Sequence, residues 1–155
     1  KAVERYEVAE KILPKRSTPT LLKGIARVNL GDYETARSTF ERALKKSNAE
    51  AVPDRVLVLE QLIWLYATYH AKEFRSGRKA LKYVKQTEKL LGKKSKSLDQ
   101  LDKFAAAHAE AGQFKIAVKL VEAAIKRSQF FYKDRLEGLQ QRLKLYQAGK
   151  PYHDE

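Results

Sequence analysis

Apolar residues recur every three or four positions along nearly the whole chain, the period of helices with one buried face. The pattern breaks at Pro14, Gly31, Pro53, Gly92, Gly112 and Gly149. Between the breaks it predicts a helix over Glu4–Leu13. A second starts with Thr18 as N-cap and Pro19 in the first helical position, where no amide partner is needed. Leu21, Leu22, Ile25, Val28 and Leu30 form its face until Gly31, which can take the left-handed conformation that ends a helix. A third helix carries Tyr33, Ala36, Phe40, Ala43 and Leu44 on one side. The next, from Pro53-Asp54 to about Ala71, is apolar almost all round and should be buried on two sides. Ser76–Leu91 follows, then a basic loop over Gly92–Ser95. Ser97 and Gln100 have capping-box spacing ahead of a helix that ends at Gly112. Phe114 to about Arg127 and Tyr132–Ala148 complete the set, the last with a single narrow stripe of Leu136, Leu139, Leu143 and Tyr146.

The helices carry an echo. Ala2, Tyr6 and Ala9 recur as Ala36, Phe40 and Ala43 at an offset of 34, and a third copy stands at Ala117, Val121 and Ala124. A period of this length marks stacked helix pairs, each burying its apolar face on the next. The expected fold is all-α, a right-handed α-α superhelix, with the narrow-striped last helix as a C-terminal capping helix. The units fall at 1–16 (the second helix of a truncated repeat), 17–51, 52–96 (irregular), 97–131 and 132–149, within a single domain spanning 1–155. Ala36 to Ala80 is 44 residues and Ala80 to Ala117 is 37, so the middle unit carries ten and then three extra residues.

Composition narrows the chemistry. The 155 residues include no cysteine, which removes disulfides, thiolate catalysis and Cys-bound zinc. No apolar run approaches the roughly 20 residues of a membrane helix. His70, His108 and His153 lack ligand spacing, and His108 reads as a packing residue. No phosphate loop, nucleophile elbow or paired-carboxylate site is legible, so neither enzyme activity nor a cofactor is expected. Methionine is absent, and the first unit is half a repeat, so a longer chain is expected upstream of Lys1. The compartment is not assigned by any of these features.

Certain positions resemble the tetratricopeptide (TPR) pattern. Gly24, Gly31, Tyr33, Ala36, Phe40 and Ala43 match one unit; Ala105, Gly112, Phe114, Ala117 and Ala124 match another, with Val121 in the aromatic place. Ala2, Tyr6, Ala9 and Pro14 match the second half of a unit. The second half of the chain is also similar to C-terminal TPR tails of some bacterial proteins. The matching stretches are Trp64–Thr68, Arg75–Ala80, Ala105–Gly112 and Arg142–Tyr152, which implies that Glu155 lies near a C-terminus.

The resemblance implies a groove, lined by the first helix of each pair, that holds a protein or peptide partner. Carried onto this chain it points to Leu21, Ile25, Val28 and Asn29, then Leu65, Tyr69 and Lys72, then Asp102, Ala106, Ala109 and Glu110. Apolar and acidic residues stand where some TPR domains place a Lys and Asn carboxylate clamp, so that mode is not expected. An amphipathic helix or a basic, apolar peptide fits better.

The formal charge is +13, with a pI of about 9.8. Between Lys72 and Lys96, ten Lys and Arg face only Glu73 and Glu88. Arg75, Arg78, Lys82, Lys85 and Lys89 follow helical spacing and form a basic face. That face suits nucleic acid phosphates, anionic lipid or an acidic partner, and equally a solvated outer surface. Homo-oligomerisation through the exposed first helix is a third possibility, and the oligomeric state is open.

Overall fold

A computed structural model describes residues 1–47, 52–92 and 94–154, with the side chains of Phe130 and Phe131 left aside. The boundary expected at 51/52, Lys93 of the basic loop and Glu155 lie outside the described residues. Those residues form eight α-helices and no strand: α1 (Ala2–Ile12), α2 (Ser17–Asn29), α3 (Tyr33–Lys46), α4 (Val52–Thr68), α5 (Gly77–Leu91), α6 (Leu98–Glu110), α7 (Phe114–Phe131) and α8 (Lys133–Gln147). A single 3-10 turn, Lys72–Phe74, lies between α4 and α5. The chain divides into two compact units, Lys1–Leu62 and Ile63–Glu155, and α4 contains the boundary.

In the first unit α2 packs between α1 and α3. Helix α2 starts before the expected Thr18 cap, with Arg16 at the N-cap and Pro19 inside the first turn. Proline is tolerated there because first-turn amides lack intrahelical acceptors. The helices meet most closely at Gly24, where an added Cβ would sit 2.4 Å from Phe40 Cε1. Phe40, Ala36 and Ala43 are fully buried.

Helix α1 buries no residue fully, and an ion cluster fastens it. Glu10 accepts from Lys23 Nζ at 2.6 Å, Lys46 Nζ at 2.7 Å and the Thr20 hydroxyl at 2.8 Å, with Arg42 Nε 3.6 Å away. Burial pushes this carboxyl up, but the bonds from Lys23, Lys46 and Thr20 and the charge of Arg42 outweigh it. The result falls from 4.5 to about 2. A depressed carboxylate stabilises the fold above its unfolded value, and the benefit disappears as pH falls through the folded one. Stability is therefore expected to decline between pH 4.5 and about 2. Glu10→Gln should lose about 1–2 kcal/mol at pH 7, after allowance for solvent screening, and flatten that acid limb. Urea titrations of both chains at pH 7 and pH 3 check this; an unchanged acid limb in Glu10→Gln would contradict it.

In the second unit α6 packs on α5 and α7, and α7 on α8. The core joins Leu98, Leu101, Ala105 and Ala109 of α6 to Ala117, Val121 and Ala124 of α7 and to Leu139 and Tyr146 of α8. Helix α6 opens with the capping box foreseen at Ser97 and Gln100. Helix α7 runs to Phe131, past the expected end near Arg127, before the chain turns into α8. Helix α4 stops at Thr68, short of Ala71: Tyr66 O accepts from the Ser76 amide in place of a helical one, and just past the helix Tyr69 O and His70 O both accept from Arg75 Nη1.

The unusual Phe74–Gly77 connection has a steric reason. A Cβ on Gly77 would lie 2.6 Å from the backbone N and Cα of Ala111, so the start of α5 crosses the end of α6 at backbone contact. Neither backbone can yield cheaply. Gly77→Ala should cost about 2–3 kcal/mol in chemical denaturation; a loss below 0.5 kcal/mol would mean that the crossing is loose.

One turn is built three times. Gly31, Gly112 and Gly149 have φ of 74°, 74° and 68°. In each, the glycine amide donates to a carbonyl three residues back and the following amide to one five back: Gly31 to Val28 and Asp32 to Arg27, Gly112 to Ala109 and Gln113 to His108, Gly149 to Tyr146 and Lys150 to Leu145. These are the two bonds of a Schellman cap. Helix pair α2–α3 thus maps onto α6–α7 at an offset of 81, placing Gly24 with Ala105 and Phe40 with Val121. The same register, counted from Gly149, puts Arg142 where Gly24 and Ala105 stand.

Candidate functional site

Helix α4 enters the second unit with Trp64, Leu65 and Thr68, α6 supplies Asp102, Ala106 and Glu110, and α8 supplies Arg142. After Gly149 the backbone enters no further helix. Residues Lys150–Asp154 are irregular, and their side chains reach these three helices.

Arg142 is the centre. It is 9% exposed and pairs side-on with Asp102, Nε to Oδ1 at 2.8 Å and Nη2 to Oδ2 at 2.7 Å. Its guanidinium also lies over the Trp64 ring at 5.8 Å and the Tyr152 ring at 5.2 Å, within cation–π range of both. The two rings are 6.0 Å apart. Burial pushes the Asp102 carboxyl up, against the opposing pull of Arg142 and Arg135. The Tyr146 hydroxyl is buried nearby, without a hydrogen-bond partner among the described residues. Its phenol is pushed up, first by burial and then by the Asp102 charge.

Asp154 joins the end of α4. Its amide donates to Thr68 O at 2.7 Å, satisfying a carbonyl that the helix end leaves open. The Thr68 hydroxyl, fully buried, lies 2.6 Å from Asp154 Oδ2. His153 Nε2 meets Glu110 Oε2 at 2.8 Å, and Arg75 Nε donates to the other oxygen of Glu110 at 3.1 Å. The Tyr152 phenol is raised by burial and then by the Asp154 carboxylate.

The residues expected to line a groove divide. In the first unit Leu21 is buried, Ile25 and Val28 are half-buried and Asn29 is exposed. In the second, Leu65 and Ala106 are buried, and Ala109 belongs to the α6–α7–α8 core. Tyr69 is half-buried against Phe74 and His70, and Lys72 is exposed in the 3-10 turn. Asp102 and Glu110 do lie beside the 152–154 segment, but both are already paired within the chain. They present no spare acid to a basic peptide. Trp64, Thr68, Arg142 and Tyr152 lie in the stretches that resemble bacterial TPR tails, but the sequence reading assigns them no site role, and His153 and Asp154 fall outside those stretches; Gly149 and Pro151 mark where the chain leaves its helix.

The basic face also divides. Arg78, Lys82, Lys85 and Lys89 are all exposed on α5. Arg75 leaves this stripe: it precedes α5, its side chain is 9% exposed, and it is bound to Glu110 and the end of α4. His108 is half-buried, and its Nδ1 lies 2.7 Å from Gln113 Oε1 across the turn.

A surface cleft of about 610 Å³ lies where α6 begins and α7 gives way to α8. Of its three cations two are engaged within the chain: Arg127 with Lys96 O and Ser95 Oγ, and Arg135 with Asp99 at 2.8 Å; Lys126 is exposed. Among the described residues no group of His, Asp and Glu is placed to hold a metal ion, and no helix is long and apolar enough to cross a membrane.

No protein-family model, curated protein or solved structure matches the chain.

Proposed function

We propose that the chain is a noncatalytic, TPR-like interaction module that holds a segment of a protein partner along its first helices. The observation that carries this reading is the reuse of one helix–turn–helix design. Pairs α2–α3 and α6–α7 share the same Schellman turn and a small residue, Gly24 or Ala105, seven positions before it, and Ala36, Ala43, Ala117 and Ala124 are fully buried in their second helices. Such pairs stack into arrays whose exposed first-helix faces suit extended or helical segments. The likeness to bacterial C-terminal TPR tails belongs to the same proposal.

Affinity capture with the full chain, followed by mass spectrometry, tests it. Val28→Asp with Asn29→Arg, and separately Lys72→Glu, should each cut capture about tenfold, a loss of 1.4 kcal/mol. Lys82→Glu, Lys85→Glu and Lys89→Glu together should leave it intact. The reverse result would reject the groove.

That reverse result would favour a second reading, a polyanion adaptor. Its support is the exposed row of Arg78, Lys82, Lys85 and Lys89 along α5. Binding to RNA, DNA or anionic vesicles would then fall steeply with salt and vanish in the triple variant.

A further inference from the structure

We infer that the face made by α4, α6 and α8 in the second unit is a peptide site filled in cis by Tyr152–Asp154. Its partner is an extended segment bearing an aromatic residue and, two positions later, a carboxylate. The inference rests on the segment-binding reading above and specifies its ligand.

The occupant shows what the face selects. An aromatic ring is needed over the Arg142 guanidinium and beside Trp64. A carboxylate oxygen sits 2.6 Å from the Thr68 hydroxyl, closer than its in-helix acceptor Trp64 O at 3.0 Å, and a backbone amide sits at the Thr68 carbonyl. The occupant is irregular rather than helical over 152–154, which sets the aromatic and the carboxylate two positions apart on a non-helical backbone. The site is built independently of this segment: Asp102 orients Arg142 through two short bonds, and Arg75 already satisfies half of Glu110.

The occupant is less buried than the residues it covers: 151–154 are all half-buried, whereas Thr68, Asp102 and Arg142 beneath them are buried. The Lys150 amide is fixed in the Gly149 cap, so release turns on the backbone from Pro151 onward. Cis attachment raises the local concentration of the segment to roughly millimolar, so a free peptide of similar affinity cannot compete until the segment is released.

The test uses the full chain, intact and with Tyr152→Ser and Asp154→Ser combined, and a fluorescein-labelled Lys-Pro-Tyr-His-Asp peptide read by anisotropy. The double variant should bind the peptide saturably, at least about tenfold tighter than the intact chain does. Thr68→Val added to it, or Tyr→Ser in the peptide, should remove binding. A double variant that melts cooperatively with unchanged helicity yet ignores the peptide overturns the proposal. Should that variant not fold, hydrogen exchange in the intact chain decides. Opening of the Asp154 amide about a hundredfold more often than α6 and α7 amides supports a releasable segment, and exchange only with global unfolding overturns it. Peptide failure with partner capture intact rejects this inference alone; capture failure with peptide binding intact rejects the broader reading.

Discussion

Asp102→Ala should lower stability by about 3–5 kcal/mol, a large share of the 5–15 kcal/mol that holds a typical domain together. The loss arises from what remains. Arg142 is 9% exposed, so removing its bidentate partner leaves a buried, uncompensated charge. Arg135, the other cation near Asp102, lies 3.6 Å away and is half in solvent, so it contributes little to the balance. Asp102→Leu with Arg142→Met should recover most of the loss, because a hydrophobic pair of similar volume avoids the desolvation cost of both ions. Urea unfolding followed by far-UV circular dichroism provides all three values. A single-mutant loss under 1 kcal/mol would mean that water reaches Arg142 and that the pair is not the keystone of α6 and α8. The double variant has a second consequence. It removes the cation beneath Tyr152, so, combined with Tyr152→Ser and Asp154→Ser, it should abolish the peptide binding that those two changes unmask, even where stability is restored.

The second large effect concerns the first unit and uses the second as its template. Gly24→Ala forces a methyl group to within 2.4 Å of the Phe40 ring and should cost about 1–3 kcal/mol. Phe40→Val empties part of a fully buried position and should cost about 2–4 kcal/mol. Yet the pair Ala105 and Val121 occupies the same two places in α6–α7, both fully buried. Gly24→Ala with Phe40→Val should therefore lose less than the two single changes summed, with a coupling of about 1–2 kcal/mol. Strict additivity would show that the two helix pairs pack by different rules despite their shared turn.

Val121 looked like a departure from the repeat pattern because it was compared with Phe40 alone. The structure supplies the missing partner: the residue seven before the turn glycine changes with it. Helix existence and the three glycine turns were legible because 3.6-residue periodicity and a positive φ are local demands. The capping box at Ser97 was legible for the same reason. The end of α4 was not, because the Ser76 amide, from beyond the helix, takes the Tyr66 carbonyl that a further helical turn would use, while Arg75 holds Tyr69 O and His70 O past the helix end. Arg75 itself illustrates the limit of helical spacing. Its position fits the α5 stripe by number, but the helix starts two residues later. Asp102 and Glu110 were placed on the right helix, while their charges are spent on Arg142, Arg75 and His153, the first and last of which lie 40 and 43 positions away. No pattern within one helix encodes such long-range pairs.

The position seven before each turn glycine works as a gauge. It reads hydrogen at Gly24, methyl at Ala105 and guanidinium at Arg142, in step with what lies opposite. At the first two a second helix leans in; at the third an irregular strip does. Helix α8 is thus not interchangeable with α2 or α6. Anyone lengthening the molecule by grafting another helix pair after Gly149 would have to rewrite Arg142 to a small residue and replace Pro151, and in doing so would erase the buried Asp102–Arg142 pair.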